Sequence, residues 1–99
     1  MKGTNHPVEI VVIDRGWVAV GNVSMEHTPG VDGQLEVVIT NGACVRNWGT
    51  QRGLGEIAEE GPTDKTILDP FYGTLRVPYP SKVIFRLECN QEKWRGKVK

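Results

Sequence analysis

The sequence lacks an apolar run near the roughly 20 residues that a membrane-spanning helix needs. The stretch from Met1 to Pro7 is polar and has no hydrophobic segment of the kind a signal peptide carries. A cytoplasmic protein is therefore expected. There is no excess of either charge: Lys plus Arg is 12 and Asp plus Glu is 12. That balance argues against a whole-molecule field for a nucleic acid polymer or an anionic membrane, and it does little to oppose self-association. Catalytic groups are scarce too. A hydrolase needs a placed base, nucleophile or metal, and the chain offers two histidines, His6 in the tail and His27 in a loop, neither with a partner placed by sequence. The two cysteines, Cys44 and Cys89, are not spaced as a zinc knuckle and read as reduced, small core residues. The expectation is a binding protein without cofactor or metal rather than an enzyme.

What is present is a β pattern. At 99 residues the chain fits one domain (1–99, with residues 1–7 and 96–99 as flexible tails) and one modest core, a size that often gains stability by assembly. Val8 to Ile13 is a run of valine and isoleucine broken only by Glu9, as in a buried strand. Asp14-Arg15-Gly16 is a turn, and Trp17 to Val23 a second strand, so a hairpin is expected. Met25 to Gly33 reads as a loop. Leu35 to Thr40 reads as a strand, Asn41-Gly42 as a turn or bulge, and Ala43 to Val45 as its resumption. Leu54, Ile57 and Ala58 have helical spacing and Gly61-Pro62 stops the run, which predicts one short helix. Asp64 to Gly73 reads as a polar connection. Thr74 to Val77 and Lys82 to Leu87 read as strands, and Pro78-Tyr79-Pro80 cannot lie in a central one. The fold class is mainly β (β-rich α+β): a small twisted antiparallel sheet or partly open barrel with one short inserted helix. Its edge strands are candidates for pairing between subunits.

The richest chemistry lies in Arg46-Asn47-Trp48-Gly49-Thr50-Gln51-Arg52-Gly53-Leu54-Gly55, with two arginines, one tryptophan and three glycines. The segment leads from a strand into a helix start, where backbone N–H groups and the helix dipole favour an anion. Arg46 or Arg52 suits a bidentate phosphate contact, Thr50, Gln51 and the backbone at Gly53 further hydrogen bonds, and Trp48 stacking on a base. Arg15 and Trp17 form a second candidate contact, and Asp69 is placed to reach a ribose hydroxyl. Structural duties compete for the same residues: Trp48 as a core cap, Thr50 as a helix N-cap, Glu56 as a favourable charge on the helix dipole. The spacing matches neither a P-loop nor a dinucleotide fingerprint.

The pattern Arg15-Gly16-Trp17, then Asn41-Gly42-Ala43-Cys44-Val45-Arg46-Asn47-Trp48-Gly49-Thr50, then Gly53-Leu54-Gly55-Glu56-Ile57-Ala58 and Gly61-Pro62-Thr63, resembles a group of short phage and prophage proteins. These share an "NA-x-x-IR-x-W" core and a "GL-x-x-LA-x-x-G" helix. The likeness runs from the first strand to Trp94 and departs in the N-terminal tail and over Phe71 to Pro80. The group carries no activity that transfers residue by residue. It implies a small phage protein, a class that includes sponges for nucleotide immune signals such as the Sequestin and Lockin families. The expectation is then a homo-oligomer that sequesters a cyclic nucleotide or ADP-ribose derivative unchanged. The alternative is a protein-interaction module, an inhibitor of a host defence protein or a virion accessory, anchored by Tyr72, Tyr79 and Trp94.

Overall fold

The computed structural model describes residues 6–49 and 51–97. Residues 1–5, 98–99 and Thr50 lie outside the described residues. Six strands run in the order β1 (Val8–Ile13), β2 (Trp17–His27), β3 (Leu35–Asn47), β4 (Ile67–Pro70), β5 (Leu75–Tyr79) and β6 (Val83–Glu88). Helix α1 (Leu54–Glu60) is inserted between β3 and β4, and a single turn, α2 (Gln91–Trp94), follows β6. All pairings are antiparallel, in the order β4-β3-β2-β1-β6, with β5 also on β3.

The β1–β2 connection closes through Arg15 and Gly16, both at positive φ (71° and 85°). β2 and β3 are longer than their sequence suggests, because each continues past its apolar stretch while its partner offers backbone to pair with. His27, expected in a loop, ends β2 opposite Leu35. The loop is correspondingly shorter than Met25 to Gly33 and spans Thr28 to Gln34.

β3 is one strand with a bulge. Val20 pairs with Ala43 and Asn22 with Thr40, so Asn41 and Gly42 together face Gly21. The backbones approach so closely that a Cβ on Gly21 would lie 2.8 Å from the Gly42 Cα. The extra residue reverses the phase of the strand. Val37 and Ile39 pack on one face of the sheet, whereas Ala43 and Val45 pack on the other.

β4 and β5 lie end to end along the same edge of β3, pairing with Ala43–Asn47 and Leu35–Ile39 respectively. The break between them, Phe71 to Thr74, sits beside the β3 bulge, where the Phe71 N–H donates to the Gly42 carbonyl (2.8 Å). This corrects the reading of Asp64 to Gly73 as a connection. Ile67-Leu68-Asp69-Pro70 is too short and too polar to announce a strand, and its pairing is supplied by β3. Pro78 is accommodated because β5 is an edge strand.

Each face of the sheet has its own core. On the convex face, Val8, Ile10, Val12, Val18, Val20, Ala43 and Val45 pack under Ile57, Ala58, Cys89 and Trp94. The Trp94 indole N–H donates to the Ile57 and Ala58 carbonyls (3.1 Å each) and so anchors the last described segment against α1. Trp94 is fully buried, which removes it as an interface anchor. The other face is concave, with Val11, Ala19, Val23, Val37, Ile39 and Val77 inside. β5 and β6 sit on opposite sides of the sheet yet are joined by Pro80 to Lys82 alone, so the sheet curls without closing into a barrel. The last two residues of the expected N-terminal tail are held: the His6 carbonyl accepts from Asn22 Nδ2 (2.6 Å), and the Pro7 carbonyl from the Val23 N–H (3.0 Å).

Candidate functional site

The segment after β3 is organised by its own chain. Arg46, half-exposed on the concave side of β3, is bound through Nε to Asp69 Oδ2 of β4 (2.7 Å). Asn47 Nδ2 donates to the Lys65 carbonyl (3.0 Å), Thr66 Oγ1 to the Trp48 carbonyl (2.7 Å) and Thr63 Oγ1 to the Gly49 carbonyl (2.9 Å). Residues 47–49 are thus fastened to the loop before β4. A Cβ on Gly49, whose φ is 73°, would come within 2.5 Å of the Thr66 nitrogen, so the glycine is required by this contact.

At the start of α1 the anion is internal. The Glu56 carboxylate accepts from the Arg52 N–H (2.9 Å), and the N-cap is Gly53, with no side-chain cap. With seven residues α1 is under two turns and has a correspondingly small dipole. Gln51 and the Arg52 side chain project into solvent. Trp48 is 40% exposed, with its ring edge 3.8 Å from where a Cβ on Gly53 would stand. Arg46, Asn47, Trp48 and Gly49 enclose only a shallow depression of about 240 Å³. The structure therefore brings Arg46 and Asp69 together but does not gather Trp48, Gln51, Arg52 and Gly53 around a common concavity; Thr50 lies outside the described residues.

A deeper concavity opens at the neighbouring mouth of the curled sheet. It measures about 390 Å³ and is walled by Ile13, Ala19, Cys44, Phe71, Leu75 and Val77, with Trp17 and Lys82 also lining it. Trp17 is 64% exposed, an unusual setting for an indole at the head of a buried strand. Ala19 pairs with Cys44 at the end of the β2–β3 register, and Arg46 lies two residues further along β3. Asp69 pairs with Cys44 on the other side. The lining thus carries two aromatics, Trp17 and Phe71, and two cations, each already held by carboxylates: Lys82 by Asp14 at 3.6 Å, and Arg76 by Glu26 and Glu36 at 3.3 and 3.0 Å; Arg46, held by Asp69, lies beyond the lining. Arg15 adds a further exposed cation in the adjoining turn. A second hollow, about 640 Å³, lies across Phe71 beside the bulge, lined by Thr40, Asn41, Tyr72 and Thr74 among others, with no charged side chain.

Of the expected residues, Trp17 lines this cavity and Arg15 lies in the adjoining turn, whereas Arg46 and Asp69 pair with each other outside its lining. Phe71, Leu75, Cys44 and Lys82 were not singled out by sequence. Phe71 and Leu75 flank a strand break that only the β3 bulge explains, and Cys44 looks like any small core residue. Cys44 is a half-buried free thiol; Cys89 is buried, and that burial, with the nearby Glu9 charge, pushes its thiol up to about 12. No group of three His, Cys, Asp or Glu side chains able to hold a metal occurs among the described residues, and none of their helices is long and apolar enough to cross a membrane.

Comparisons with protein families, with curated proteins and with solved structures find no match.

Proposed function

We propose that this chain is a non-catalytic binding protein that holds a nucleotide-derived ligand at the mouth of its curled sheet. The observation that carries the reading is the cavity walled by Phe71, Leu75 and Cys44, with an exposed Trp17 and paired cations at its rim. Its volume falls in the range of small-ligand sites, apolar walls suit the flat face of a base, and a few placed charges orient the rest. A phosphate would compete with Asp69 for Arg46 and with Asp14 for Lys82. Exposed ion pairs contribute little, on the order of 1 kcal/mol or less, so that exchange is cheap. Tight capture without turnover needs only such a preformed, partly desolvated hollow. The finer form of the reading is sequestration of a cyclic nucleotide or ADP-ribose derivative in a host cytoplasm, the role implied by the phage resemblance.

The test is titration with a panel of nucleotides, cyclic dinucleotides and ADP-ribose, followed by tryptophan fluorescence. Exposed Trp17 should respond and fully buried Trp94 should not. Native mass spectrometry should recover the bound molecule with its mass unchanged. Arg46→Ala should weaken binding by about tenfold or more, the worth of one charge-assisted contact. If no member of the panel binds, the reading fails.

A second reading, a protein-interaction module, is favoured by Tyr72, which is 98% exposed at the tip of the β4–β5 break. Large aromatics so placed are typical interface anchors. Under this reading Tyr72→Ala abolishes capture of the partner, while Arg46→Ala leaves it intact.

A further inference from the structure

The two edges of the sheet are built differently. On one side, β4 and β5 are short, carry Pro70 and Pro78, and are interrupted between Phe71 and Thr74. These are the devices by which proteins blunt an edge. β6, on the other side, pairs only with β1 among the described residues and contains neither proline nor glycine. It also exposes two adjacent large apolar side chains, Ile84 (58%) and Phe85 (45%). Ile84 bulges, since the register passes from Val12–Phe85 to Ile13–Val83. The regular part of the edge is therefore Phe85 to Glu88.

The direction of its backbone groups follows from one bond. The Cys89 N–H donates to the Val8 carbonyl (3.1 Å), and Val12, Ile10 and Glu9 pair with Phe85, Leu87 and Glu88 in the same frame. In an antiparallel ladder, alternate residues turn their peptide groups to the same side. Leu87 and Phe85 thus turn towards β1, and Arg86 and Glu88 turn outward.

We propose that β6 is a homodimer edge, pairing antiparallel with β6 of a second copy about a two-fold axis at Leu87. Charge decides the register. With the axis at Arg86, two arginines stand opposite each other, which is destabilising. With the axis at Phe85, Arg86 faces the bulged Ile84. With the axis at Leu87, Arg86 of each copy faces Glu88 of the other, twice, and both are the residues whose peptide groups point outward. Arg86 already holds Glu9 through Nε and Nη2 (2.8 and 3.0 Å), which leaves Nη1 for a further carboxylate. Glu88 is exposed beside that pair. The ten strands of the two principal sheets, counted with β4 and β5 as one edge, then form a continuous sheet, and the unguarded edge disappears.

The test is sedimentation and native mass spectrometry of the whole chain over a micromolar range, with amide hydrogen exchange. The wild type should dimerise, with slow exchange at the Arg86 and Glu88 amides. Glu88→Arg sets like charges opposite each other at both symmetry-related positions. It should weaken the dimer about a hundredfold, about tenfold per position, and free those amides. Near-ultraviolet circular dichroism reports whether the fold is retained. Should Glu88→Arg fail to fold, Glu88→Gln removes the attraction alone and should weaken the dimer about tenfold. A protein that stays monomeric throughout, or a dimer indifferent to both substitutions, overturns the proposal.

Discussion

Glu9 is the one buried charged residue among those described, 5% exposed on the concave side of β1. It faces Gly21 on β2, which offers no side chain, and Glu88 on β6, which offers the wrong charge. Its carboxylate is satisfied by Arg86, two residues along β6 from Glu88, through the bidentate contact at 2.8 and 3.0 Å. That contact also raises the Arg86 guanidinium above its ordinary range. Removing one partner of a fully buried pair costs about 3–5 kcal/mol, mostly because the other charge is stranded. The Arg86 side chain is 31% exposed, so solvent reaches the site. We therefore expect Arg86→Met to cost about 2 kcal/mol, below the buried limit. At roughly 4–8 °C per kcal/mol for a domain of this size, Tm should fall by roughly 8–16 °C. Glu9→Leu should cost less, because the arginine left behind can turn to water. The double variant Glu9→Leu/Arg86→Met should return to within about 1 kcal/mol of the wild type. Reversible thermal unfolding of the four proteins measures this cycle. If the two single losses simply add in the double variant, or if Arg86→Met moves Tm by less than about 3 °C, the buried-pair reasoning is wrong.

Two further expectations concern the convex core. The Cys89 thiol, pushed up to about 12 from an ordinary 9.0, keeps its proton in the folded state at pH values where the unfolded chain loses it. Its contribution to stability is complete below about pH 9 and is lost as pH rises towards 12. Denaturation at a series of alkaline pH values should show Cys89→Ala to be less stable at neutral pH but with a flatter alkaline decline; equal slopes would refute this. Trp94→Phe keeps most of the apolar bulk but removes the indole donor shared by the Ile57 and Ala58 carbonyls, each of which keeps one backbone donor, the Gly61 and Asn90 N–H respectively. A loss of about 0.5–1.5 kcal/mol is expected in urea denaturation, with faster amide exchange across α1, and an unchanged midpoint would count against the anchor.

The local order of this protein is legible in its residues. The β-branched run of β1, the turn at Asp14 to Gly16, the helix between Gly53 and Gly61, and the irregularity at Asn41-Gly42 each follow from short-range preferences and patterning. So does the inability of Pro78 to enter a central strand. Where sequence reading went astray, the missing information was non-local. β4 has no strand signature of its own and is a strand because β3 presents an open edge to it. Trp94 sits near one end of a charged segment, and only its packing on α1 places it in the core.

The candidate site divides along the same line. Sequence marked Arg46, Trp48 and Arg52 as chemically rich, but cannot reveal that Asp69 and Glu56 already occupy Arg46 and the Arg52 N–H. The chain's own carboxylates take the place foreseen for a ligand anion. The cavity at the sheet mouth exists because one extra residue at Asn41-Gly42 reverses the phase of β3, breaks the opposite strand beside it and leaves Phe71 and Leu75 facing Trp17 and Cys44 across a sheet that does not close. Composition and periodicity determine which segments become strands, whereas curvature, register and the pairing of charges depend on residues distant in the chain, and only tertiary structure decides them.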